Sequence, residues 1–251
     1  MVFTQDWPVT TEGSDASGRL SLPYLCSLLQ ETATYHADAL GWGYADLEAQ
    51  GLQWVLSRQW IRMDRSPRWK DRIRIATWPS GKGAITWNRD FRILDADGEI
   101  LGVATSFWLT MDRKTRRPRP AGFGSDMDFT AVDTVKDGDL KPLPALAHPR
   151  KTRSVRAAYH DIDVHDHINN VRYLTWMIDA LDPEFLRAHR AKETEINFLA
   201  EGFAGDALDV FDDAAADDPA QRLQSLRRDS GESELCRMRT AWVPDESPNR
   251  L

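Results

Sequence analysis

The sequence predicts an α+β protein built from two similar halves, each a long helix lying on an antiparallel sheet. Three observations point there. Apolar residues recur at helical spacing twice, in "LSLPYLCSLLQETATYHADAL" and in "VRYLTWMIDAL". After each helix the apolar period changes to two. A Pro-, Gly- and Asp-rich stretch at 112–150 separates the halves. A helix on an antiparallel sheet buries the apolar face of both elements.

The first helix places Leu22, Leu25, Leu28, Leu29, Ala33, His36, Ala37 and Leu40 on one stripe. Pro23 suits its first turn and Gly41 its end. "RIRIATW" alternates, with Ile73 and Ile75 on one face. "NRDFRILDADGEILGVATSFWLTMD" reads as two strands about a turn at Asp95–Gly98. The segments "RKTRRPRPAGFGSD" and "KDGDLKPLPALAHP" have linker composition. The pattern then restarts with the strand "RSVRAAY". Asn169 or Asn170 can cap a helix carrying Val171, Leu174, Met177, Ile178 and Leu181. "TEINFLAE" and "DALDVFDD" read as strands, and residues 221–243 as a hairpin about Asp229–Gly231. The domain reading is a first half over 1–120, a linker over 121–150 and a second half over 151–251.

Composition removes several function classes. Net charge is −7, from 32 Lys and Arg against 39 Asp and Glu, which argues against nucleic-acid binding. Two cysteines, Cys26 and Cys236, show no zinc-finger or disulfide-framework spacing. The N-terminus lacks a basic and then apolar leader, and no stretch of 18 apolar residues occurs. The expectation is a soluble, cytoplasmic protein with no membrane insertion.

Titratable groups crowd into "YHDIDVHDHINN", immediately ahead of the second helix. A cap, a solvated turn, an acid/base site and a metal site all fit that composition. His165 and His167 lie at i, i+2 near Asp163, but the surrounding sequence offers no soft ligand or third histidine, so no metal is expected. Sliding the second half back by 149 residues superposes the two apolar stripes. Asp163, His165 and His167 then fall on Ser14, Ala16 and Gly18. On that alignment the first half has the scaffold without the titratable groups, which favours a site over a folding requirement.

"DIDVHDHINNVRYLTWMIDAL" resembles the "DxDVNxHVNNxxYxxW" signature of the acyl-acyl-carrier-protein thioesterase family. "LLQETATYHADALGWG", "RDFRILDADGEILGVATSFWLTMDRKTRRPRP" and "EINFLAEGFAGD" are similar to the same family, so the resemblance covers roughly residues 20 to 240. It implies a tandem double hotdog, an acyl-binding first half and a catalytic second half. The activity implied is hydrolysis of fatty acyl-acyl-carrier protein to free fatty acid, without a cofactor. By position, the catalytic residues implied are Asp163, His167 and the acidic Glu201 of "FLAE" on a following strand. His165 stands where the family has Asn, and Gly202 where it has a nearby Cys. His165→Asn is expected to keep most activity and flatten the acid limb of the pH profile.

On this reading Glu201 is the base or water-positioning group, with direct attack by a carboxylate through an anhydride as the alternative. His167 shares the water, and Asp163 holds an imidazole in one tautomer. Backbone N–H groups of 168–171 are expected to stabilise the oxyanion. Asn169, Asn170, Trp54 and Trp87 are candidate substrate-binding residues, and Arg113, Lys114, Arg116 and Arg117 candidate docking residues for an acidic carrier protein. His160, Asp161 and Asp166 are read as exposed loop residues. A double-hotdog 3-hydroxyacyl hydro-lyase, an acyl-coenzyme A thioesterase and a non-catalytic acyl-binding module are the alternatives. Two fused hotdogs supply the pairing internally, so a monomer or a homodimer is expected.

Overall fold

In a computed structural model of the chain, residues 1–124, 127–136, 138, 140–213, 218, 220–228 and 231–245 are described. The order is β1 (Phe3–Pro8), α1 (Leu22–Ala39), α2 (Tyr44–Ala49), β2 (Leu52–Met63), β3 (Arg72–Lys82), β4 (Thr86–Leu94) and β5 (Ile100–Asp112). It continues with β6 (Pro149–Arg156), a 3-10 turn (Tyr159–Asp161), α3 (Asn170–Ile178), α4 (Pro183–Ala188), β7 (His189–Phe198), β8 (Ala207–Asp213), β9 (Gln221–Arg228) and β10 (Ser233–Pro244). The chain forms two compact units: Met1–Thr10 with Ser27–Leu140, and Thr11–Cys26 with Lys141–Leu251.

The units repeat one topology. Strand order is β1-β3-β4-β5-β2 in the first and β6-β8-β9-β10-β7 in the second. The ladders within each unit are antiparallel. The predicted turn between β4 and β5 forms as expected: Asp95 Oδ1 accepts the Asp97 and Glu99 N–H groups at 3.1 and 2.9 Å, and Gly98 takes φ 87°. Asp229 and Ser230 of the other predicted turn lie outside the described residues.

In the first unit Leu28, Leu29 and Ala33 of α1 are buried, as are the strand residues Ile73, Ile75, Phe91 and Ile93. Polar side chains are buried there too. His36 Nδ1 lies 2.9 Å from a guanidinium nitrogen of Arg89, and both residues are buried. Burial, and then the Arg89 charge, push the His36 pKa down to about 4.

The described residues of the stretch with linker composition, within 113–148, form neither helix nor strand. It is nonetheless anchored by side chains. In the first unit Phe123 stacks on Trp42 and Trp87 at ring-centroid distances of 5.1 and 5.0 Å. Asp90 Oδ2 accepts the Val135 N–H at 3.0 Å, and Arg58 donates to the Leu140 carbonyl at 2.6 Å. In the second unit Asn197 Oδ1 accepts the Leu143 N–H at 2.6 Å, and Arg237 donates to the Leu143 carbonyl at 2.5 Å. Buried and half-buried polar side chains on the strands thus satisfy parts of its backbone in place of ladder partners.

Candidate active site

The cluster ahead of α3 is a closed turn. Ile162 and Ile168 bridge antiparallel. Asp163 N–H donates to His167 O at 2.9 Å and Asp166 N–H to Asp163 O at 3.1 Å. Asp163 Oδ1 accepts the His165 N–H at 2.9 Å. Asp166 closes the turn with φ 62°, a left-handed conformation that Asp tolerates better than most residues. His165 sits exposed at the tip, and His167 is half-buried on the returning leg. The base is fixed by Asp161, which is buried, against the sequence expectation of an exposed residue. Its carboxylate accepts from Ala158 N–H at 2.8 Å and Arg172 Nε at 2.6 Å. A short loop needs such a partner to hold its first turn. His160 and Asp166 are exposed as expected.

A second loop meets the first. Ile168 N–H donates to Gly202 O at 2.8 Å, and His167 Nε2 lies 3.5 Å from Glu201 Oε2. Glu201 is not on a strand, as the sequence suggested: β7 ends at Phe198. Its loop is tied down by Arg228, which donates to Glu201 O at 2.7 Å and pairs with Asp206 at 2.8 Å. The Phe203 ring stands edge-on to His167 at 5.4 Å. Arg228 lies on β9, 27 residues beyond Glu201, and nothing in the sequence links the two.

Three of the expected oxyanion donors are engaged in folding. The N–H groups of Ile168, Asn169 and Val171 donate to Gly202 O, Asp161 O and Asn169 Oδ1. The last is an N-cap, the ordinary use of Asn before a helix. Asn170 is the first residue of α3 and half-buried. Asp163 holds the turn through His165 N–H, and no imidazole is bonded to it among the described residues.

A thiol nucleophile is absent from the site. A Cβ on Gly202 would stand 2.5 Å from Ile168 Cδ1 and 3.0 Å from Leu235 Cδ2 and Tyr173 Oη, so a side chain there would require the Ile168 side chain to shift. Cys26 and Cys236 are buried, and burial pushes both thiols up. Among the described residues no group of three His, Cys, Asp or Glu is placed to hold a metal ion, and no helix is long and apolar enough to cross a membrane.

The loop Thr11–Cys26 repeats this turn and corrects its alignment. Ser14 and Leu20 bridge as Ile162 and Ile168 do. Asp15 N–H donates to Arg19 O, Gly18 N–H to Asp15 O, and Ser17 N–H to Asp15 Oδ1. Gly18 holds φ 72° where Asp166 holds 62°. The structural offset is therefore 148 residues, Asp15 onto Asp163, rather than 149. The aspartate is common to both copies, and the features peculiar to the second are His165, His167 and Glu201.

The other predicted residues lie in the first unit. Trp87 is buried in an aromatic cluster with Trp42, and Trp54 packs on it half-buried, its Nε1–H bonded to Trp42 O at 2.9 Å. Arg113 pairs with Glu48. Lys114, Arg116 and Arg117 are exposed on a turn that Asp112 caps through the Lys114 and Thr115 N–H groups at 3.1 and 2.9 Å.

Models of the acyl-ACP thioesterase N-terminal and C-terminal domains match residues 1–121 and 147–244. The chain belongs to the acyl-ACP thioesterase family. It is 29% identical over 263 residues to the chloroplastic palmitoyl-acyl carrier protein thioesterase of Cuphea hookeriana, covering 97% of this chain and 63% of that relative. It is 29% identical over 203 residues to the chloroplastic oleoyl-acyl carrier protein thioesterase 2 of Arabidopsis thaliana, covering 74% of this chain and 55% of that one. The chain thus spans less than two thirds of the length of the curated relatives it matches. An acyl-ACP thioesterase structure from Bacteroides thetaiotaomicron aligns with TM-score 0.84 at 24% identity, covering 96% of this chain and 98% of its own. The 12:0-ACP thioesterase from Umbellularia californica aligns with TM-score 0.79 at 22% identity, covering 97% and 98%. The fold of this thioesterase family member is accordingly the double hotdog that the sequence resemblance implied.

Proposed function

We propose that the chain hydrolyses the thioester of fatty acyl-acyl-carrier protein, releasing the free fatty acid and ending chain elongation. One observation supports it above the others: in a member of the thioesterase family, His167, three residues ahead of α3, and Glu201, on the loop after β7, face each other half-buried with Nε2 and Oε2 at 3.5 Å. A carboxylate and an imidazole at that separation can share one water. Glu201 takes a proton from the water as its oxygen bonds to the thioester carbonyl carbon. Glu201 hands that proton to His167 across their 3.5 Å approach, and as the carbonyl re-forms and the C–S bond breaks His167 donates it to the departing sulfur, which returns both residues to their starting states. The positive end of the α3 dipole and Asn170 at its first position favour the oxyanion. Burial takes both cysteines out of the reaction as nucleophiles, and the attacking group of this reading is water. In the first unit, Trp54 and Trp108 of the aromatic cluster are half-buried, their indoles bonded to Trp42 O at 2.9 Å and Ser106 Oγ at 2.8 Å. Both have surface to offer an acyl chain.

Thiol release from carrier-protein thioesters of several chain lengths tests the reading. Wild type should turn over, and Glu201→Gln should lose about a hundredfold or more in kcat/KM. Wild-type rates in Glu201→Gln would remove Glu201 from the chemistry. Enoyl absorbance without thiol release would replace hydrolysis by the hydro-lyase reaction.

A further inference from the structure

The edge strand β6 runs straight into the catalytic turn: Arg156, its last residue, precedes Asp163 by seven positions. Its sequence, "PRKTRSVR", carries Arg150, Lys151, Arg153 and Arg156 and no acid. All four cations are exposed. Lys151 is neutralised by Asp209 at 2.8 Å. Arg150 lies opposite Asp212 in the ladder and its charge acts on that carboxylate, which is buried and bonds Arg222 at 3.1 Å, so, among the described residues, Arg150 makes no direct ion pair with it. Arg153 and Arg156 donate to main-chain carbonyls, Asp179 O at 2.9 Å and Gly205 O at 2.8 Å, so their charges are positioned without being cancelled. Gly205 belongs to the loop that begins at Glu201, which places Arg156 on the loop of the proposed base.

Charged residues on an edge strand also block edge-to-edge pairing. The equivalent edge of the first unit shows how little charge that duty requires. There β1, "FTQDWP", has one charged residue, Asp6, paired with Arg74 at 2.7 Å. The cations of β6 exceed the need. A second feature coincides with them. The large apolar side chains exposed in the second unit, among the described residues, are Tyr159, Val164, Leu199 and Phe203. They lie in the two loops that form the site, with Val164 93% and Tyr159 85% exposed. Such side chains beside a catalytic turn mark a surface that is covered in use.

We propose that β6, with Tyr159 and Val164, is the docking surface for an acidic face of the carrier protein that presents the acyl thioester. The proposal rests on the thioesterase reading above. Its basis is charge complementarity: a cationic edge on a chain of net charge −7 directs an anionic donor to the one site where its thioester can react.

The test is kcat/KM for an acyl-carrier-protein thioester and for the same acyl group on pantetheine, at low and high salt. Wild type, Arg150→Glu/Arg153→Glu and Lys114→Glu/Arg117→Glu are compared. Arg150→Glu/Arg153→Glu should lose about tenfold on the carrier-protein substrate at low salt, with the loss shrinking at high salt. It should stay within about twofold of wild type on the pantetheine substrate, which also shows that it is folded. Equal losses on both substrates, no loss at all, or a loss confined to Lys114→Glu/Arg117→Glu would overturn the proposal. A wild type that cleaves neither thioester would instead overturn the hydrolase reading beneath it.

Discussion

The turn before α1 and the turn before α3 share a backbone and differ in what they are bonded to. At the position of His167 the first turn has Arg19. Arg19 is buried and saturated: it pairs with Asp15 at 2.9 Å and Asp245 at 3.2 Å, and donates to His189 O and Leu186 O, each at 2.8 Å. His167 is half-buried, 3.5 Å from a carboxylate that is itself partly exposed. Asp15 uses both carboxylate oxygens, one on the Ser17 N–H and one on the Arg19 side chain. Asp163 uses Oδ1 alone, and among the described residues its Oδ2 has no partner. One scaffold, used twice, is a structural lock in one copy and an open site in the other. The turn geometry is common to both copies, so the proposed chemistry rests on the side chains set into one of them.

The largest effect should come from breaking the lock. Arg19→Ala leaves the Asp15 and Asp245 carboxylates and two carbonyls without their cation. Denaturant unfolding should show a loss of about 3–5 kcal/mol. A loss under 1 kcal/mol would mean that Arg19 is not the keystone described.

The helices differ as well: α1 spans 18 residues against 9 for α3, and carries His36 into the core. In the unfolded chain His36 gains its proton near 6.5; in the folded chain it stays neutral down to about 4. Its contribution is complete above pH 6.5 and is lost as pH falls from there to about 4, by roughly 3 kcal/mol. Acid titration of stability should show this slope, and His36→Gln should flatten it. An unchanged slope in the variant would assign acid sensitivity elsewhere.

Asp163→Asn separates turn from charge. An amide oxygen accepts the His165 N–H as well as a carboxylate does, so thermal unfolding should move by no more than ~3 °C. Activity should fall about tenfold, a change of about 1.4 kcal/mol, because Oδ2 loses its charge. Full activity would reduce Asp163 to the role Asp15 plays. The smallest effect is at the left-handed residue: Asp166→Gly should stabilise the protein by about 0.5–1 kcal/mol, since Gly18 holds the same conformation without a Cβ. Destabilisation would show that the Asp166 side chain supports the turn.

Much of this was legible in the sequence. The two apolar stripes, the period-two strands and the turn at Asp95–Gly98 come from spacing, and the pairing of Glu201 with His167 comes from the family resemblance. The one-residue error in the repeat has a physical origin. Helical stripes contain adjacent apolar pairs, such as Leu28 and Leu29 or Met177 and Ile178, so a slip of one still sets apolar on apolar. Only the hydrogen bonds of the two turns fix the register. That error hid Asp15 behind Ser14 and made the aspartate look unique. Asp161 and the N–H groups of Ile168, Asn169 and Val171 depart from the sequence reading for a related reason: local hydrogen bonds satisfy backbone groups, and composition does not say which groups they take. Arg228 and the strand-borne anchors of the 113–148 segment act across long sequence separations, where periodicity carries no signal.

The most direct measurement is thiol release by His167→Ala beside wild type, with thermal unfolding of both. The site differs from its silent twin chiefly at this residue. The variant should lose about a hundredfold or more in kcat/KM while its unfolding midpoint stays within ~3 °C. A folded His167→Ala that releases thiol at the wild-type rate would contradict the assignment of the chemistry to the His167–Glu201 pair.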